Sequence, residues 1–97
     1  MDSRIVSIAI KGDSMWPTYN DGDMLKCAAY DNQPIDIGNI VVFPHPFKSK
    51  IVCVKRVKKL LDGMVFVEGD NPDPLASEDS HNFGLIKIDS IIALKND

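Results

Sequence analysis

Cysteine is scarce in this sequence, long apolar runs are missing, and neither sign of charge dominates. Two cysteines, Cys27 and Cys53, are too few for a disulfide-built scaffold and lack the paired spacing of a zinc site. Both lie in apolar runs, where a free cysteine packs as a small hydrophobe, so buried free thiols are expected and neither a metal nor another cofactor is. Apolar runs such as Ile40 to Phe43 and Ile91 to Leu94 fall far short of the ~18–20 residues that span a bilayer. The start Met1-Asp2-Ser3-Arg4 lacks the apolar stretch of a secretory signal. The chain is therefore expected to carry no membrane segment and to be cytoplasmic. Eleven Lys and Arg against fourteen Asp and Glu leave a net charge of −3, which offers no global pull towards nucleic acid or anionic lipid.

What is present is an ordinary globular balance, 44% apolar and 26% charged residues in 97, enough for one small core and one domain over residues 1–97. Arg4 to Lys11 alternates, with Val6, Ile8 and Ile10 on one face, and reads as a strand. Gly12 to Asp23 is so dense in Gly, Pro, Asn and Asp that the chain must reverse there, with room for one helical turn. Met24 to Tyr30 and the β-branched run Ile40 to Phe43 give two more strands, the second closed by Pro44-His45-Pro46. Lys50 to Leu60 and Met64 to Glu68 flank Asp62-Gly63 and predict a hairpin. Gly69 to Gly84 reads as loop, and Leu85 to Lys95 as a last strand bent near Asp89-Ser90. The pattern predicts an all-β, mostly antiparallel small barrel or sandwich.

Chemistry concentrates in three places. Ser14 stands in the turn Gly12-Asp13-Ser14-Met15-Trp16-Pro17-Thr18 directly after an apolar strand, where a rigid sheet can hold a hydroxyl at a cleft with backbone N–H groups around it. The plainer alternative is a serine that only turns the backbone. Lys55 shares a strand face with Ile51, Cys53 and Val57, and burial there would favour the neutral amine that a general base requires. Its alternative is to snorkel with the basic cluster Arg56, Lys58 and Lys59. Third, Gly69-Asp70-Asn71-Pro72 and the run Ser77 to Gly84 frame a polar loop able to orient a neighbouring site, or simply to be a solvated turn. His81 and His45 are candidate triad bases for Ser14, although neither sits in a context that marks a base.

Taken in order, Gly12 to Thr18 with Gly22-Asp23, Gly38 to Phe43, Val54-Lys55-Arg56-Val57, Gly69-Asp70-Asn71 and Ser77 to Ser80 resemble the type I signal peptidase family of serine proteases. The related LexA-like family of self-cleaving repressors shares the Ser-Met turn, the following Gly-Asp and the Val-Lys-Arg strand. The Gly-Asp-Asn block and the Asp-Ser loop before Phe83-Gly84 lean towards the signal peptidases.

The resemblance implies a Ser/Lys dyad in which Ser14 attacks a peptide carbonyl and neutral Lys55 takes its proton. It further implies that Ser77 orients the Lys55 amine, that Asp79 pairs with Arg56, and that backbone N–H groups at Asp13 and Ser14 form the oxyanion hole. The substrate would be a protein or peptide bound as an added β-strand between Ile8-Ala9-Ile10 and Val52-Cys53-Val54, cut after a small residue. Three positions depart from the family pattern. Gly12 stands where some relatives carry an oxyanion-hole serine, His81 replaces an arginine after Asp79-Ser80, and only thirteen residues, 56–68, separate Lys55 from Gly69. That spacing leaves no room for the second domain that signal peptidases usually insert. The readings that follow are a processing protease acting on cytoplasmic leaders, similar to the nickel superoxide dismutase maturation proteases; a signal peptidase proper; a LexA-like self-cleaving or dimerisation module; and a non-catalytic peptide-binding barrel.

Overall fold

The computed structural model describes residues 4–96 and shows seven strands: β1 Ile5–Ala9, β2 Met24–Ala29, β3 Ile40–Pro44, β4 Val52–Leu61, β5 Met64–Glu68, β6 Ile86–Lys87 and β7 Ala93–Lys95. The all-β, antiparallel expectation holds. All seven belong to one sheet in the order β1-β2-β7-β3-β4-β5-β6, and every adjacent pair is antiparallel. The sheet does not close, because β1 and β6 are its two ends and do not pair with each other.

The central strand explains how one sheet makes two cores. Ile40 to Phe43 are all fully buried. Val41 and Phe43 pack into one apolar cluster with Val57, Val65, Val67 and Ile86, whereas Ile40 and Val42 pack into another with Ile10, Met15, Leu25 and Cys27. A strand covered on both faces needs an unbroken β-branched and aromatic run rather than alternation, and this is the run found in the sequence. On β1 alternation survives because only Val6 and Ile8 turn inward, followed by Ile10 just past the strand. Leu61 pairs with Met64 across the two-residue turn at Asp62-Gly63, where Gly63 takes φ 72°.

The stretch expected to be irregular carries two short helical elements. Residues Pro74–Ala76 form a 3-10 turn capped by Asp73, and Ser80–Phe83 form a single turn of α-helix, α1. Asp79 caps α1 through His81 N–H, while Asn82 reaches back to the Asp79 N–H, a reciprocal capping box. The last strand is broken more than expected: a 3-10 turn at Ile88–Ser90 separates β6 from β7 and lets them pair at distant places in the sheet. Both cysteines are buried and neither is disulfide-bonded. Among the described residues, no helix is long and apolar enough to cross a membrane.

Candidate functional site

The reversal after β1 is built from local hydrogen bonds. Asp21 accepts from Gly12 N–H at 2.7 Å, Asp13 C=O accepts from Trp16 N–H at 3.1 Å, and Met15 C=O accepts from Tyr19 N–H at 2.9 Å. Met15 is driven into the core at 1% exposure and anchors the turn, leaving Ser14 beside it at the surface of the cleft. Trp16 points outward, half exposed, and Phe43 belongs wholly to the core.

Lys55 reaches this serine from β4. Its side chain is 6% exposed, and Nζ donates to Ser14 Oγ at 2.9 Å. The buried alternative therefore prevails over snorkelling, which Lys58 and Lys59 adopt instead. Burial is the main cause that lowers the amine's pKa below the usual 10.5, opposed by the charges of Asp79 and Glu78 and by Cys53. An ammonium with three donors and a single hydrogen-bonded protein partner among the described residues is poorly served, which favours the neutral form on independent geometric grounds.

The polar loop after β5 holds the turn from behind. Asn71 N–H donates to Ser14 C=O at 3.0 Å and its side-chain amide donates to Asp13 C=O at 2.8 Å. With those carbonyls turned to Asn71, the Asp13 and Ser14 N–H groups donate to no acceptor among the described residues. Gly69 sits so close that a Cβ there would stand 2.5 Å from Ser14 O and 2.5 Å from Ser77 Oγ. The Gly-Asn spacing signalled this only through resemblance, since neither role is visible without the tertiary neighbour.

Two expected contacts are replaced by others. Arg56 pairs with Asp70 rather than Asp79, through Nε and Nη2 at 2.9 and 2.8 Å, and Nη1 donates to Gly38 C=O. The reason is register: Arg56 faces Glu68 across β4 and β5, so the residues that leave β5 next, Gly69-Asp70, carry Asp70 to the guanidinium. Burial alone would raise the Asp70 carboxyl, but hydrogen bonds from Arg56 and Thr18 hold it below its ordinary range. Asp79 is committed to the α1 cap, Gly69 N–H and Ser77. Ser77 Oγ accordingly donates to Asp79 Oδ2 at 3.2 Å, where a bond to the Lys55 amine was expected. Although burial pushes the Asp79 carboxyl up, the donors of His81, Gly69 and Ser77 bring it down further.

Neither histidine serves Ser14. His81 is exposed and binds Asp79 and Glu68. His45 lines the same cleft, but its Nδ1 accepts from Phe47 N–H and its Nε2 faces Glu78 at 2.6 Å.

The cleft has a volume of about 490 Å³ and is lined by Ile8 to Lys11 on one wall, Lys50 to Lys55 on the other, and Ser14 at the meeting point. Both walls are sheet edges. Arg4 and Ile10 bond towards β2 and its flank, so by alternation the backbone groups of Ser7 and Ala9 face away from it. On β4, β5 begins to pair only at Arg56, and Ile51 and Val57 bond towards β3, so the backbone groups of Val52 and Val54 face the cleft. Among the described residues no cluster of His, Cys, Asp and Glu is disposed to hold a metal.

No curated protein matches the chain. A family model does, over residues 2–88, a stretch that runs from before β1 past β6 and so contains Ser14, Lys55 and the loop behind them. That model describes Peptidase S24-like proteins, and a match to nearly the whole chain makes this protein a member of the Peptidase S24-like family.

Proposed function

We propose that the chain is a serine endopeptidase in which Ser14 is the nucleophile and Lys55 the general base, working as one peptidase unit over residues 1–97. The observation that carries this reading is the 2.9 Å contact between a cleft hydroxyl and a buried amine whose pKa is lowered. With Lys55 neutral, the hydroxyl donates in this contact and the amine accepts. Attack forms the Ser14 Oγ–carbon bond as the hydroxyl proton passes to Lys55 Nζ. The oxyanion is met by the Asp13 and Ser14 N–H groups, which donate to no other acceptor among the described residues. Collapse breaks the peptide C–N bond while Lys55 returns the proton to the departing amine. Water then hydrolyses the ester by the same shuttle, and the proton ends on Ser14. Ser77, Asp79 and Arg56 support the site at one remove: Ser77 and Asp79 fix the loop at Gly69, and Arg56 fixes Asp70.

The substrate is a protein or peptide bound as an added strand, pairing with Ala9 on one side and with Val52 and Val54 on the other, Ile8, Ile10 and Cys53 lining the cleft around it. Cleavage after a small residue follows from the resemblance to the signal peptidases, as does the choice of a leader or signal-like segment. The negative net charge supports a protein partner over nucleic acid. A cytoplasmic processing role is part of this reading. A second reading, self-cleavage in the manner of the LexA-like repressors, draws on the family match.

Peptides carrying Ala-X-Ala junctions, read by mass spectrometry, test the activity, and matched peptides with N-methylated backbone amides test strand addition. Loss of cleavage on N-methylation with the side chains kept supports pairing, while equal rates refute it. Incubating wild type alone at several concentrations, beside Ser14→Ala, separates the readings: wild type cut at one site at a rate independent of concentration, with Ser14→Ala intact, supports self-processing, and cleavage of the added peptides alone supports a dedicated processing enzyme.

A further inference from the structure

His45 and Glu78 lie 33 residues apart and meet at the rim of the cleft. His45 is buried at 5% exposure, an unusual place for an imidazole at the end of a strand closed by prolines. Because Phe47 N–H donates to Nδ1 at 3.1 Å, the ring proton sits on Nε2 and is donated to Glu78 Oε1 at 2.6 Å. Lys48 adds a looser ionic contact to the same carboxylate at 3.7 Å. The face of the ring is also used: Phe83 of α1 meets it edge-on with centroids 5.1 Å apart, and Phe83 also packs against Phe43.

These contacts have a common effect on the segment from Ser77 to Phe83. Its Asp79 is tied to Gly69 N–H at the end of β5, while Glu78 and Phe83 are tied to His45 at the end of β3. The segment thus bridges two strand ends on either side of β4, the strand that carries Lys55. We infer that the His45–Glu78 hydrogen bond is a clasp that holds the Ser77–Phe83 segment beside β4, at the cleft that Glu78 and Lys55 both line, making both residues positioning residues for the base. This rests on the reading of Lys55 as the general base.

The titratable groups that act on Lys55 are Cys53 from its own strand and Asp79 and Glu78 from the segment, against the desolvation that dominates. Glu78 therefore does two separable things: its hydrogen bond fastens the segment, and its negative charge favours the charged amine. Glu78→Gln keeps an acceptor for His45 Nε2–H and removes the charge, whereas Glu78→Ala removes both. Glu78 is half exposed, so neither change threatens the fold.

The experiment is an NMR titration of the Lys55 side chain in wild type and both variants, which reads the amine with no substrate present, together with the pH dependence of kcat/KM on a junction peptide. Glu78→Gln is expected to move the Lys55 titration and the acid limb of activity to lower pH together, because loss of a neighbouring negative charge disfavours the ammonium. Glu78→Ala is expected to fall on the order of tenfold below Glu78→Gln at the plateau, the scale of a misplaced catalytic group, with Lys55 titrating above its Glu78→Gln value as water enters. Equal plateaus and equal Lys55 titrations in the two variants would overturn the clasp. A Lys55 titration that behaves as described in a protein that cleaves nothing would leave the clasp standing and sink the peptidase reading instead.

Discussion

Replacing Gly69 by alanine should disable the site without touching either reacting side chain. The new Cβ would stand 2.5 Å from Ser14 O, about 0.9 Å inside the 3.4 Å where ordinary contact begins, and equally close to Ser77 Oγ. Neither neighbour is the far end of a flexible side chain: one is backbone of the nucleophile's own residue, and the other is a short side chain bonded to Asp79. The clash must therefore be relieved by shifting the Ser14 turn, the loop, or both. Overpacking of this kind costs roughly 1–3 kcal/mol, which in a domain of this size lowers Tm by roughly 5–20 °C. A shift approaching 1 Å in the nucleophile costs on the order of a hundredfold in rate, so kcat/KM should drop about 10- to 100-fold. Peptide cleavage and a thermal melt on the same preparation measure both. The double variant Gly69→Ala/Ser77→Gly removes the Ser77 clash and keeps the one at Ser14, so it should recover part of Tm and remain slow. A Gly69→Ala protein with wild-type kcat/KM and Tm would refute the close approach of the two loops.

Lys55→Met should be inactive yet more stable at pH 7. The folded domain binds the amine proton more weakly than the unfolded chain, so wild-type stability rises with pH between the depressed pKa and 10.5; a melt series should show this slope and its loss in Lys55→Met. Lys55→Arg should fold and fail to cleave at any pH up to 10, since a guanidinium does not give up its proton there. Asp70→Asn leaves the Arg56 guanidinium, 16% exposed, without its carboxylate, and should cost about 3 kcal/mol in urea unfolding. Asp70 and Asp79 both have lowered folded pKa values, so their contribution is present above the ordinary 3.8 and lost as pH falls through the folded values; acid unfolding of Asp70→Asn should show a shallower pH dependence there.

Strands were legible because their periods are physical: alternation where one face is wet, as in β1, and an unbroken apolar run where both faces are buried, as in β3. The placement of Ser14 in a reversal and of Lys55 on a buried strand face was legible for related reasons, one lying in a turn that nothing regular can cross and the other on an apolar strand face. Partner choice was not. Asp70 and Asp79 are both acids in the same polar loop, and only the β4–β5 register decides that Arg56 meets Asp70 while Asp79 turns to cap α1. The capping pattern from Asp79 to Asn82 is a local signal that marks α1 in hindsight. The His45–Glu78 bond and the role of Gly69 arise from chain segments brought together by the fold, and no local pattern announces them.

The central claim is that Ser14 cuts peptide bonds with Lys55 as its base, and Ser14→Ala addresses it most directly. The side chain removed has one hydrogen bond among the described residues and lies outside both apolar clusters, so the variant should fold with a wild-type circular dichroism spectrum and a Tm lowered by roughly 5–20 °C, because the buried Lys55 amine loses its partner. Incubated at equal concentration with the same junction peptides, wild type should give a defined product pair by mass spectrometry, and the variant should lose at least a thousandfold in rate, on the order expected for a nucleophile. A folded Ser14→Ala protein that produces the same fragments at a comparable rate would contradict the account.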